Sequence, residues 1–162
     1  MVNITLDSIF IFLIMQCVFW DIKKRIIPNK INIAIFSTAL VKAVYIAILY
    51  AFFNQHANLD IAEYIYSRLG GFLIALLLFG LPYMIKQNVG AGDLKTACSS
   101  ALFLGFSSAL TMFFTAFLSC SVYVFFLQIY AIITKKAKAK ELPFAPFLLI
   151  GAIYVLIRKY FP

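Results

Sequence analysis

The sequence predicts an all-α, polytopic membrane helix bundle of about six transmembrane helices. Three observations predict it. Of the 162 residues, 64% are hydrophobic and only 12% charged, with a mean hydropathy of +0.99. The apolar residues fall into runs long enough to cross a bilayer, and the Lys and Arg residues gather at alternate ends of those runs. An ordinary soluble domain carries about 45–50% apolar and about 25% charged residues. A fold of this length could not hide so much apolar surface from water, whereas lipid serves as solvent for the outer faces of spanning helices. The length suits a single domain, taken here as residues 1–162.

A helix needs about 20 apolar residues, within roughly 17–25, to cross the hydrocarbon core. The first run covers residues 4–20 and the second 31–53, separated by a basic segment, 21–30, that contains Pro28 and Asn29. The third covers 69–87 and ends at Asn88-Val-Gly-Ala-Gly-Asp93, whose glycines should interrupt regular helix. The following apolar stretch reaches Thr134 and is too long for one span, so it is divided near 105–108 into a short fourth helix and a longer fifth. After a basic segment, 135–140, a sixth span opens at Pro143 and runs to about Lys159.

Loops retained on the cytoplasmic side are enriched in Lys and Arg. Lys23, Lys24, Arg25 and Lys30 follow the first span, Lys86 and Lys95 flank the third connection, and Lys135, Lys136, Lys138 and Lys140 precede the last. The second connection carries Asp60, Glu63 and Arg68, and the N-terminal segment carries Asp7, which puts both outside. The chain thus reads as N-out with six spans and a C-out end. Arg158 and Lys159 oppose that exit, and the expectation is that they snorkel to the interface.

Other classes fit poorly. The N-terminus lacks the basic region and cleavage pattern of a secretory signal, so the first run is expected to stay as a span. The net charge of +8 sits beside apolar runs, not among aromatics on a polar face, which argues against nucleic acid as a partner. Cys17, Cys98 and Cys120 lack CxxC spacing and read as buried small hydrophobes, and a lone histidine, His56, makes no metal site; neither a metal nor a cofactor is expected.

Asp21 follows one crossing and Asp93 follows three, so both reach the same side of the bilayer, the cytoplasmic one by the charge rule. Of the other acids, Asp7, Asp60 and Glu63 are assigned to the opposite face and Glu141 to a lysine-rich loop. Two carboxyls brought close together cannot both ionise cheaply, so one keeps a proton. That arrangement suits amide hydrolysis by water with no metal or nucleophilic side chain. The plain structural alternative has Asp21 paired with Arg25 four residues later and Asp93 capping the fourth helix.

The segment Trp20-Asp-Ile-Lys-Lys-Arg-Ile-Ile-Pro-Asn29 resembles the first signature of the type IV prepilin peptidases: Asp, then Arg, an apolar residue, Pro and Asn. Gly90-Ala-Gly-Asp93-Leu-Lys95 resembles their second, GxGDxK, and Leu142-Pro-Phe-Ala-Pro-Phe-Leu148 resembles the element that opens their last helix. The resemblance implies an integral-membrane aspartic endopeptidase of the bacterial cytoplasmic membrane that removes basic leaders from prepilins or pseudopilins at the cytoplasmic boundary. Asp21 and Asp93 inherit the catalytic positions. Larger members insert a cytoplasmic domain before the first aspartate and also methylate the new N-terminus. No such insertion separates Asp21 from the first span, so the resemblance is to the short, non-methylating forms associated with Flp-type pili.

The supporting positions have local readings. Gly90 and Gly92 should permit unusual dihedrals and a close substrate approach, against the plainer role of helix breakers. Pro28 and Asn29 should form the turn into the second helix. Arg25 and Lys95 either orient carboxylates or serve as topology signals. Pro143 and Pro146 shape a helix start, with bordering the cleft as the alternative. Lys42, inside the second span, should face the bundle interior or snorkel; neither it nor Gln128 is given a role. Two competing functions stay open: a broader GxGD intramembrane protease, and an ion-coupled transporter whose carboxylates carry protons or cations. The sequence leaves the oligomeric state open.

Overall fold

The computed structural model describes residues 2–53, 61–86, 90–134 and 142–161. Asp60, Lys135, Lys136, Lys138, Lys140 and Glu141, used above to orient the chain or sort its acids, and His56 lie outside the described residues, as does the side chain of Lys86. Among the described residues every secondary-structure element is a helix, with no strand. The helices are α1 (Val2–Lys24), α2 (Asn29–Phe53), α3 (Ile61–Ala75), α4 (Leu81–Lys86), α5 (Ala91–Leu104), α6 (Phe106–Thr134) and α7 (Ala145–Tyr160). A π-helical turn, Leu76–Gly80, joins α3 to α4 without a break.

Four segments are long and apolar enough to cross a membrane: Asn3–Lys24, Asn29–Tyr50, Ile61–Ile85 and Phe106–Thr134. The expected count of six is reached only if two shorter helices also cross. At 1.5 Å per residue α5 and α7 span roughly 21 and 24 Å, short of a hydrocarbon core of about 30 Å. The third segment begins at Ile61, well before the expected residue 69, because Arg68 does not end it. Its guanidinium turns inward and donates to the Phe103 and Leu102 carbonyls at the end of α5. A cation that satisfies otherwise orphaned helix-terminal carbonyls can be retained within an apolar helix.

The division between α5 and α6 falls at Gly105, where expected. Its φ of +87° lies in the region that favours glycine, and it ends α5 while Phe106 starts the next helix. The Phe106 N–H donates to Ser67 Oγ, fastening this corner to α3. Helix α5 is short because it is the inner element, packed on α2 and α3, with Thr96, Ala97, Ser100, Ala101 and Phe103 buried. Two of its small polar residues have local partners for their hydroxyls: Ser99 Oγ donates to the Lys95 carbonyl and Thr96 Oγ lies 2.9 Å from the Gly92 carbonyl.

Helix α7 lies against α1 and α6. Contact with α6 is close enough that a Cβ on Gly151 would sit 2.3 Å from the Met112 carbonyl oxygen, so only glycine fits. The outer faces stay apolar, with Phe114, Phe125, Phe126 and Ile132 of α6 exposed to the surroundings that lipid would occupy.

Candidate active site

Asp21 is in the last turn of α1, which ends three residues later at Lys24. Arg25 takes a positive φ of 52° there, and the chain reverses through Pro28 into α2, whose first residue is Asn29. The Ile31 N–H bonds back to the Pro28 carbonyl at 3.1 Å, so Pro28 and Asn29 do form the turn into the second helix. From the opposite wall, α5 presents Asp93 in its first turn. The two carboxylates face one cavity of about 370 Å³, lined by Asp21, Arg25, the 26–29 turn, Gly90, Ala91, Gly92, Asp93 and Lys95. All eight residues singled out from the sequence, Asp21, Arg25, Pro28, Asn29, Gly90, Gly92, Asp93 and Lys95, border this one space.

The glycines behave differently from expectation. Gly90 has φ −64° and ψ 138°, an extended conformation open to any residue, and Gly92 lies inside the first turn of α5 instead of interrupting it. What Gly92 supplies is room: a Cβ there would meet Ile27 Cβ at 3.0 Å, so its absence lets α5 close against the turn that carries Pro28. A Cβ on Gly90 would come within 3.2 Å of Asp93 Oδ2.

Lys95 reaches not a carboxylate but Asn29, donating to its Oδ1 at 2.9 Å and bridging α5 to α2. One turn further in, Thr96 Oγ lies 2.8 Å from Asn32 Oδ1, so the hydroxyl can donate there or to Gly92. Neither Asn32 nor Thr96 was singled out from the sequence. Both sit three or one residues beyond a signature, and a polar pair on the facing sides of two apolar helices was the available signal. Cys17, one turn inward from Asp21, is buried, as is Cys98, while Cys120 is half-buried; all three thiols are free. Among the described residues no three His, Cys, Asp or Glu side chains gather as metal ligands do.

The two acids have different surroundings. Asp21 is buried, and its Oδ2 accepts the Ala145 N–H at 3.0 Å across the interface with α7. Pro146 stands in the first turn of α7, beside the Ala145 that makes this bond, and neither Pro143 nor Pro146 lines the cavity. Phe144 fixes this register by packing against Phe79 and Phe117, with ring centroids 5.5 and 5.6 Å away. Asp93 is partly buried, and the Gly90 backbone N–H bonds its carboxylate, one half of a capping box. The plain reading of Asp93 as a cap thus holds in part. Its Oδ1 remains buried with no hydrogen-bond partner. Asp93 lies outside the four long apolar segments, and burial first, then the negative charge of Asp21, pushes its carboxyl up to about 6.

Family comparison agrees with the signatures. The family described as the type IV leader peptidases matches residues 8–125 of the chain. The chain belongs to the type IV leader peptidase family. That match covers both aspartates and their turns and stops within α6, before the Pro-Phe-Ala-Pro-Phe element. No curated protein and no solved structure matches the chain. Membership makes this all-helical, strongly apolar chain a protease.

At the other end of the bundle a second acid is buried. Asp7, about 21 Å from Asp21 along α1 at 1.5 Å per residue, lies inside the first helix and not in an exterior segment. Lys42 donates to its Oδ1 at 3.0 Å and lies 3.8 Å from the Phe103 ring centroid. The Tyr160 hydroxyl and the Lys159 ammonium both donate to Oδ2. Lys42 accordingly faces the bundle interior, one of the two outcomes expected for it. Lys159 does not simply snorkel; it is tied to an acid of the first helix.

Proposed function

We propose that the chain is an aspartic endopeptidase in which Asp21 and Asp93 act as a water-activating pair, removing the leader of a prepilin or pseudopilin. The observation that carries this reading is the convergence of the two carboxylates on one cavity from helices distant in sequence. One carboxylate takes a proton from a water as the oxygen adds to the scissile carbonyl carbon. The other, protonated, gives its proton to the carbonyl oxygen as negative charge develops. The tetrahedral diol then collapses: one hydroxyl returns its proton to the ionised member as the carbonyl re-forms, the C–N bond breaks, and the departing nitrogen takes the proton held by the other, so the pair again holds one proton. No metal or covalent intermediate enters the scheme.

The raised Asp93 carboxyl supports it, since a pair that must hold one proton and one charge needs its members driven apart. A prepilin offers a basic leader in the cytoplasm and an apolar helix in the membrane, which puts its scissile bond at the boundary. The positive residues at this end of the bundle, Lys23, Lys24, Arg25, Lys30 and Lys95, favour a cytoplasmic orientation in the inner membrane. With Asp21 in the last turn of α1, no domain intervenes between the first span and the first signature, and we assign no methyl transfer to the reaction.

Co-expression with a prepilin tests the assignment. Asp21→Asn and Asp93→Asn are each expected to lower leader removal at least about 100-fold, the scale of lost general acid or base catalysis, with membrane insertion unchanged. Retained cleavage in either variant rejects the pair.

A further inference from the structure

Resting on that reading, we infer that Phe79, seated in the π-helical turn of the third segment, is a positioning residue for the catalytic pair: it holds the start of α7 where the Ala145 N–H reaches Asp21. The turn is what brings Phe79 to this place. Ala75, just before it, is fully buried, and at about 100° per residue an uninterrupted α-helix would carry Gly80 roughly 140° away from that face. The wider turn over Leu76–Gly80 instead leaves Phe79 and Gly80 both buried. Gly80 packs toward α5, where a Cβ on it would lie 3.9 Å from the Cδ1 of Leu94, the residue after Asp93.

Phe79 meets three rings. Its centroid is 5.3 Å from Phe113 and 5.6 Å from Phe117 of α6, and 5.5 Å from Phe144, the residue that caps α7. Phe144 also lies 5.6 Å from Phe117, so the rings of Phe79, Phe117 and Phe144 close a triangle. In a close-packed interior such mutual contact restricts where the Phe144 backbone can go. The next residue is Ala145, 1% exposed, and its N–H donates to Asp21 Oδ2 at 3.0 Å. One peptide unit therefore separates the aromatic contact from a catalytic carboxyl.

The other supports of α7 are softer or more distant. Phe147 leans on Tyr123, a side chain 47% exposed. Gly151 sets the approach to Met112 further along, and Lys159 and Tyr160 tie the far end to Asp7. An N–H···O bond holds only over about 2.7–3.2 Å, so seating the first turn needs a support beside it. A carboxyl that must meet both a water and a scissile carbonyl is sensitive to such seating, because a misplacement of about 1 Å caused from a distance can cost about 100-fold in rate.

Phe79→Leu tests this, keeping an apolar side chain but removing the ring. Phe113→Leu is the matched control, because Phe113 is 1% exposed and its one ring partner among the described residues is Phe79. Two readouts are taken with the full chain in lipid nanodiscs: kcat and KM on a prepilin that the wild type cleaves, referred to folded protein, and the amide proton shift of Ala145 in 15N-alanine-labelled chain. Phe79→Leu is expected to lower kcat by about 10-fold or more with KM within about twofold, and to move the Ala145 amide proton upfield as its bond to Asp21 lengthens. Phe113→Leu should do neither. Should Phe79→Leu not fold, Phe144→Leu opens the same contact from the α7 side and the same outcomes decide. An unchanged kcat, an equal fall in Phe113→Leu, or an Ala145 amide that stays in place while kcat falls each overturns the positioning role. Undiminished cleavage by Asp21→Asn would instead overturn the pair on which that role rests.

Discussion

Two buried acids occupy opposite ends of α1, and they are treated in opposite ways. Asp7 is compensated beyond its own charge, with two ammonium groups and a phenol on its two oxygens. At the other end, the influences on Asp93 are burial, the like charge of Asp21 and one backbone N–H, and none of them is a cation. Asp21 takes a backbone N–H from another helix. A carboxylate held by two ammonium groups and a phenol joins α1, α2 and α7. One surrounded by dipoles and a like charge remains able to gain and lose a proton. The difference teaches how one apolar bundle can use the same residue type as a fastener and as a reagent.

Removing the fastener should have the largest effect on folding. Asp7→Ala leaves Lys42 buried without its counter-ion and is expected to cost about 3–5 kcal/mol, as for a broken buried pair. Unfolding in detergent micelles would check this. The double variant Asp7→Ala, Lys42→Met should recover much of the loss, because it also removes the stranded charge. A loss below about 1 kcal/mol in the single variant would erase the contrast between the two ends.

The reagent end should show the opposite sign. Because the Asp93 carboxyl is raised from 3.8 to about 6, the folded state holds its proton more tightly than the unfolded one, and stability falls as pH rises across that window. Asp93→Asn keeps the group neutral. It should match the wild type below pH 4 and exceed it by on the order of 2–3 kcal/mol above pH 6, at the expense of activity. Melting curves at the two pH values decide the matter, and equal curves at both would mean the acid is not strained by its site.

The smallest effect concerns the exposed cation of the same cavity. Lys95→Met removes a bond to Asn29 near the surface, so a loss of about 1 kcal/mol or less is expected, well under that of Lys42. A larger loss would mean Lys95 compensates the carboxylates directly.

The helical fold and its main boundaries were legible because hydropathy and helix breakers act locally. The start of α2 beyond Pro28 and the break at Gly105 fell where expected. The start of the third segment was missed, since Arg68 reads as a loop residue until the α5 carbonyls that receive it are known. Gly92 was found for the wrong reason: its value lies in the approach of Ile27, a distance no sequence window contains.

By itself the sequence determined that this is an apolar helical chain whose signatures bring Asp21, Asp93 and their neighbours into consideration. Those properties reside in residue type and short spacing. Only the tertiary structure decided that Lys42 and Lys159 share Asp7, and that the Ala145 N–H of α7 bonds Asp21. The reason is physical: a partner in a buried polar contact is chosen by helix packing across the bundle, and packing joins residues that are remote in the chain.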